Sequence, residues 1–284
     1  MPATVHRVES SVGATPVNAY LIEGERDVVA VDGTLTVSGG EELGDRLAAI
    51  AKPLSAVVLT HAHPDHYGGV VALLDAQEAP IVATAGVDEV IRRDDPIKEE
   101  ILRPMFGDEW PAERVFPTEI VNDGAEVSFG DIELTVRDLG PGESPHDSVW
   151  FLGEPKTTVF SGDQAYNRMH CFLGDGYWED WLANIQALAD QLPPDATLHP
   201  GHGKPGGLDL LTWQRGYIER FIEAVHAADW SDADGATDEV MAALRKYVGG
   251  EDLLFLAQLS VVPVAVKLGL LEAQGEEAKD QGPG

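Results

Sequence analysis

The stretch that most constrains this chain is residues 57–69, Val-Val-Leu-Thr-His-Ala-His-Pro-Asp-His-Tyr-Gly-Gly. The apolar run at 56–60 predicts a buried β-strand. Directly after it, His61, His63, Asp65 and His66 crowd into six residues. Imidazole and carboxylate groups are preferred ligands of divalent transition metals. His61 and His63, two apart in extended chain, can point the same way, while Asp65 and His66 lie where the chain turns toward a helix. One pair can therefore face one ion and the other pair a second ion close by. Whatever fold this chain adopts must end a strand at that loop.

Charge narrows the partners. The chain has 284 residues, with 49 acidic against 19 basic side chains and a net charge of −30. Such a field repels nucleic acid, anionic membranes and polyanionic substrates, and leaves a small-molecule substrate as the expected partner. A homo-oligomer is allowed. The single cysteine, Cys171, rules out an intramolecular disulfide framework and reads as a buried structural thiol. The N-terminal Met-Pro-Ala-Thr-Val-His-Arg lacks the apolar core of a secretory signal, so a cytoplasmic location is expected. The apolar run at 253–271 is broken by Gln258, Ser260, Pro263 and Lys267 and reads as a packed helix.

Taken in order, residues 5–8, 18–23 and 27–32 predict a β-meander, and 41–51 has helical spacing through Leu43, Leu47 and Ile50. A helix is expected at 70–77 and a strand at 81–84. Residues 92–118 contain four prolines and large apolar side chains, and read as an irregular segment that is either a lid lined by Phe106 and Trp110 or simple packing. A hairpin turns at Gly130-Asp131 between 127–129 and 132–138. Strands at 148–152 and 157–161, an amphipathic helix at 177–192 and a short strand at 197–199 follow. Strands and helices alternate twice, which fits two βαβ-containing halves closing face to face. Helices are expected at 210–228, 237–247 and 252–271. The reading is therefore a core at 1–208, a helical extension packed on it at 209–271, and a polar, disordered tail at 272–284.

His61-x-His63-x-Asp65-His66 after an apolar strand resembles the signature of the metallo-β-lactamase superfamily. That resemblance implies an α/β fold, a four-layer αββα sandwich, with one or two metal ions at the strand ends and here a C-terminal helical extension. Further residues match its pattern. Ser161-Gly162-Asp163 fits the strand end whose carboxylate bridges both ions, and Gly201-His202-Gly203 fits the last ligand of the second site. The loop that usually reads Pro-Gly-His is here Pro141-Gly142-Glu143, so either Glu143 or, three residues on, His146 completes the first site. The implied set is His61, His63 and Glu143 on one ion, Asp65, His66 and His202 on the other, with Asp163 shared. Asp32 is either a support of the metal loop or a turn residue. His199 reads as structural, and His6 and His226 as surface residues.

Two divalent ions are expected, zinc first, with iron or manganese made more credible by the carboxylate at Glu143. Two such ions and three carboxylates leave one positive charge, which a hydroxide nucleophile would neutralise. The resemblance then implies a metal-bound hydroxide attacking a small ester, lactone, thioester or amide. Asp65 would pass a proton to the leaving group, Tyr166 would steady an oxyanion, and His170 would donate a proton or orient substrate. Two alternatives stand beside this reading: an iron-dependent oxidoreductase of sulfur dioxygenase or diiron type, and a metal-binding protein without turnover. The missing export signal weakens β-lactam hydrolysis as the specific activity. A glutathione thioester is disfavoured because no Lys/Arg cluster marks the C-terminal helices.

Overall fold

The computed structural model describes residues 3–10, 16–75 and 77–272. The expected tail at 272–284 falls, but for its first residue, outside them. Two sheets face each other. The first has six strands in sequential order: β1 (Thr4–Ser10), β2 (Val17–Glu23), β3 (Val28–Val31), β4 (Leu54–Val58), β5 (Ile81–Thr84) and β6 (Glu119–Val121). The second runs β11 (Thr197–His202), β10 (Thr158–Tyr166), β9 (Asp147–Leu152), β8 (Ile132–Gly140), β7 (Glu126–Phe129).

Side-chain alternation creates the layers. On the first sheet Tyr20, Ile22, Val29, Val31, Ala56 and Val58 point inward, meeting Leu134, Val136, Trp150 and Phe160 of the second. Their neighbours Leu21, Val28, Ala30 and Val57 point outward against helices α1 (Val37–Ile50), α3 (Val70–Leu73) and α4 (Ala85–Phe106). Both faces of these strands are apolar because both are covered. The outer face of the second sheet is covered by α5 (Trp178–Gln191), α6 (Asp209–Ala227), α7 (Ala233–Val248) and α8 (Leu254–Lys267) in one continuous apolar cluster. This is a helix–sheet–sheet–helix sandwich with C-terminal helices. No helix among the described residues is long and apolar enough to cross a membrane.

Two expectations need correction. Residues 92–106 are not irregular: α4 runs unbroken for 22 residues with Pro96 and Pro104 inside it. Prolines cost helix hydrogen bonds, but here Val87, Val90 and Ile91 are buried and Arg114 clamps Asp95 with two bonds of 2.7 and 2.9 Å. Packing and that ion pair override the local preference. Trp110 is no lid residue either; it is fully buried, its indole Nε1 donating to Glu99 at 2.7 Å. The edge strand β6, with mostly exposed residues, carries no apolar alternation and was not expected. Helix α1 begins four residues earlier than its apolar spacing suggests because Thr36 caps it, accepting from the Gly39 N–H.

Candidate metal centre

The site lies at one edge of the sandwich, and each sheet braces the loop that the other carries. After β4 the chain runs through Thr60, His61 and His63 into a one-turn helix, α2 (Pro64–Tyr67), with Pro64 in its first turn. Side chains of β9 hold the end of that strand: Trp150 Nε1 donates to the Leu59 carbonyl at 3.0 Å and Ser148 Oγ to the Thr60 carbonyl at 2.8 Å. In return, Asn18 and Tyr20 of β2 donate to the Pro200 carbonyl at 2.8 and 2.6 Å, fixing the turn that presents His202. Gly201 is required there, because a Cβ would stand 1.9 Å from Asp163 Oδ1.

Seven side chains converge. His61, His63 and Glu143 form one group, Asp65, His66 and His202 a second, and His61, His66 and Asp163 a third that joins them, with ligand atoms inside each group all within 4.8 Å of one another. His202 Nε2 lies 3.2 Å from Asp163 Oδ2 and 3.3 Å from Asp65 Oδ2, and His66 Nε2 lies 3.4 Å from Asp163 Oδ1. His61 Nε2 and Glu143 Oε2 are 3.5 Å apart. Two ligands about 2.0–2.1 Å from one tetrahedral ion sit about 3.3 Å apart. His63 Nδ1 approaches Glu143 Oε2 more closely, at 2.7 Å, without hydrogen-bond alignment.

The decisive observation is what these atoms lack. Nine buried side-chain N or O atoms among the described residues have no hydrogen-bond partner, and five of them are His61 Nε2, His66 Nε2, His202 Nε2, Glu143 Oε2 and Asp163 Oδ1. Orphaned buried polar groups each cost on the order of 1–3 kcal/mol, so five aimed at one space call for cations. The donor set, four imidazoles and three carboxylates, fits two divalent ions.

The far sides of the rings are fully engaged, which selects the ligating nitrogen. His66 Nδ1–H donates to Asp32 Oδ2 at 2.8 Å and His202 Nδ1–H to the Pro16 carbonyl at 2.5 Å. The Thr60 hydroxyl donates to Asp32 Oδ2, so its oxygen is left to accept from His61 Nδ1 at 3.0 Å. Asp32 also accepts from the Thr60 N–H at 2.9 Å; it is a support of the metal loop and not a mere turn residue. His63 is turned the other way, with Nε2 bonded to Asp175 at 3.1 Å and Nδ1 facing the cluster.

Electrostatics agree. Burial pushes the Glu143 carboxyl up to about 8 against the pull of His63, and a cation beside it would favour its charged form. Burial also opposes charge on Asp163, but His202 and His66 hold it well below the usual carboxylate range. His202 is raised to about 10 despite its burial, chiefly by Asp163 and Asp65. Cations replacing these protons would meet counter-charge already in place.

The structure separates the two candidates for the third ligand. Glu143 faces His61 and His63, whereas His146 Nε2 bonds Asp138 at 2.6 Å and its ring packs on Gly86. Tyr166 is brought to the cluster: its hydroxyl lies 2.6 Å from Asp163 and 3.1 Å from Glu143, and its ring stacks on His202 at 4.7 Å. His170 is not brought there. Its two nitrogens meet the Tyr217 hydroxyl and the Gly250 carbonyl, both at 3.2 Å, because the C-terminal helices enclose that loop. Asn167 holds the 202–204 turn through the Lys204 carbonyl. His199 is packed between Tyr20 and Phe160.

Two residues of consequence were not singled out from the sequence. Asp175 orients His63 across 112 residues of chain. Buried Asp147 accepts from the N–H groups of Glu143 and Ser144, from the Ser144 hydroxyl and from Gln164, and so shapes the loop that carries Glu143. An Asp three residues beyond a Gly-Glu-Ser turn is its only sequence signal. Above the cluster opens a cleft of about 200 Å³, with His63, Asp65, Glu143, Asp163 and Tyr166 at its floor.

Comparison with known proteins places this geometry. A family model described as the metallo-beta-lactamase superfamily matches residues 12–202, about two thirds of the chain. The acyl-coenzyme A thioesterase MBLAC2 of Homo sapiens is 31% identical over 185 residues, covering 58% of this chain and 61% of the relative. The uncharacterized protein YobT of Bacillus subtilis is 28% identical over 66% of this chain and 84% of its own length. A hydroxyacylglutathione hydrolase of Bdellovibrio bacteriovorus is 27% identical over 56% of this chain and 53% of its own. The alignment thus spans about three fifths of the thioesterase and half of the glutathione hydrolase. With fold, ligand loop and family model in agreement, the chain belongs to the metallo-beta-lactamase superfamily.

Proposed function

We propose that the protein is a metal-dependent hydrolase of a small ester, lactone, thioester or amide. The observation that carries this reading is the set of five unpartnered buried ligand atoms converging at the foot of an open cleft. Bound there, two divalent cations, zinc first, would supply Lewis acidity toward a carbonyl and hydroxide at neutral pH. The protein's own groups complete the chemistry. Asp65, the most exposed of the ligating carboxylates at 16%, lies between His66, His202 and the cleft, where it can carry a proton toward a departing oxygen, nitrogen or sulfur. The Tyr166 hydroxyl sits on the cleft floor, where turning from Asp163 toward a substrate oxygen would let it donate to developing charge. The named relatives, a thioesterase and a hydroxyacylglutathione hydrolase, support hydrolysis at an acyl carbon.

The carboxylate at Glu143 favours a second reading, iron-dependent oxidation, because carboxylates suit iron and manganese better than an all-imidazole set does. One experiment separates them. Purified protein is assayed for metal content and for hydrolysis of aryl esters and lactones before chelation, after it, and after reloading with zinc. The hydrolase reading expects activity lost with the metal and restored by zinc. A fully zinc-loaded, folded protein inert across the panel, or oxygen consumption by an iron form alone, would contradict it.

A further inference from the structure

The two walls of the cleft are unusual for so acidic a surface. On α4, Ile97, Ile101 and Met105 recur every four residues and are 50, 49 and 63% exposed. On α8, Phe255, Leu259 and Val262 form a matching stripe at 37, 60 and 40% exposure. Ile101, Met105, Phe255 and Leu259 all line the cleft, which leads down to His63 and Asp65. These are six of the seven large apolar side chains exposed among the described residues, so the apolar surface is gathered on the walls and rim of the cleft over the metal cluster. A concentration of this kind marks a recognition surface and not ordinary exposure. Charge is just as uneven: among the described residues Lys98 is the one Lys or Arg lining the cleft, on a chain of net charge −30.

From this arrangement we infer that the substrate carries an aliphatic acyl chain, held between α4 and α8, on a leaving group with at most one negative charge. The inference rests on the hydrolase reading and narrows its substrate class. The groove ends at the ligand cluster, so a chain lying along it places its carboxyl end over Asp163 and Glu143, while the leaving group faces Lys98 and the acidic exterior. In the reaction a water oxygen bonds the acyl carbon, the C–O or C–S bond breaks, and a proton goes to the departing alcohol or thiol. A fatty acid and an alcohol or thiol carrying at most one negative charge are the products. A polyanionic carrier would meet one lysine and a strongly repelling field.

The test uses zinc-loaded protein and p-nitrophenyl esters from acetate to decanoate. Each added methylene is expected to raise kcat/KM roughly threefold to fourfold until the groove is filled. Ile101→Asn and Leu259→Asn sit at exposed positions, so the fold should tolerate them; they are expected to flatten that slope through KM. Ile120→Asn, equally exposed on β6 and not among the cleft-lining residues, is expected to leave the slope unchanged. Octanoyl-N-acetylcysteamine should be preferred over octanoyl-coenzyme A by at least about tenfold at low ionic strength. Displacement of a dansylated fatty acid from metal-free protein reads the groove without turnover. Acetate hydrolysed as well as decanoate, with no fatty acid bound, would overturn the inference and leave the hydrolase reading intact. Fatty acid bound in the groove with no ester hydrolysed would sustain the groove and sink the hydrolase reading. A dimer that hides both stripes and shows no chain-length slope would also overturn it, as would preference for the coenzyme A thioester.

Discussion

The two halves of the sandwich contribute to one site in opposite ways. The first sheet delivers four candidate ligands in a single loop, His61 to His66, folded into one turn of helix directly after β4. The second delivers three, Glu143 just after β8, Asp163 within β10 and His202 at the end of β11. The first set is close in sequence and needs only a strand end and a turn. The second set exists as a set only once three strands are in register. Each half also braces the other, Trp150 and Ser148 reaching back to β4 while Asn18 and Tyr20 reach across to the 200–203 turn. Ligand density in sequence and ligand dependence on topology are thus traded between the halves, although His61 and His66 of the first and His202 of the second share one design: the far nitrogen is bonded and the near one is bare.

The sharpest way to break the comparison is at the residue that joins the groups. Asp163→Asn is expected to lower bound metal at both positions and to cost roughly a thousandfold in kcat/KM, read by elemental analysis beside ester kinetics. Retention of two ions with full activity would remove Asp163 from the bridge. Next in size, Glu143→Ala should lose one ion of the two and roughly a hundredfold in rate, whereas Glu143→His should bind two again with a stronger preference for zinc over manganese.

The supports of the two halves make a matched pair. Asp32→Ala leaves the Thr60 N–H, the Thr60 hydroxyl and His66 without their acceptor, and Asp147→Ala does the same to the Glu143 loop. Each is expected to weaken metal affinity by about 10–100-fold and to destabilise the fold by about 1–3 kcal/mol, read by competition with a chelating dye and by urea unfolding. Asp32→Ala should disturb the second-ion group first and Asp147→Ala the first-ion group; the reverse order would mean that the braces, and not the ligand loops, define the halves. Smallest of all, His146→Ala should leave metal content unchanged and cost less than about 1 kcal/mol, since it removes only the partly exposed pair with Asp138.

The same contrast explains what the sequence disclosed. The loop at 61–66 was legible because its meaning lies within one helical turn, and Asp163 and His202 because the glycines beside them mark places where chains pass closely. Glu143 could be placed by position with His146 left as its alternative, since the choice is made by Asp138 and Gly86, outside the loop. Asp175 and Asp147 were invisible for the same reason: their partners are set by tertiary contact. Helix α4 was misread as a lid because two prolines speak locally against a helix, while the buried Val87–Ile91 face and the Asp95–Arg114 clamp that stabilise it speak only in the folded chain. Part of that lid reading survives, since Phe106 does line the cleft, as the end of a helix.

The most direct test is anomalous diffraction from a crystal soaked in zinc, recorded on both sides of the metal edge. Two peaks are expected, one held by His61, His63 and Glu143, the other by Asp65, His66 and His202, with Asp163 touching both and bonds of about 2.0–2.2 Å. No peak in this space, or one ligated by His146 with Glu143 turned away, would contradict the account.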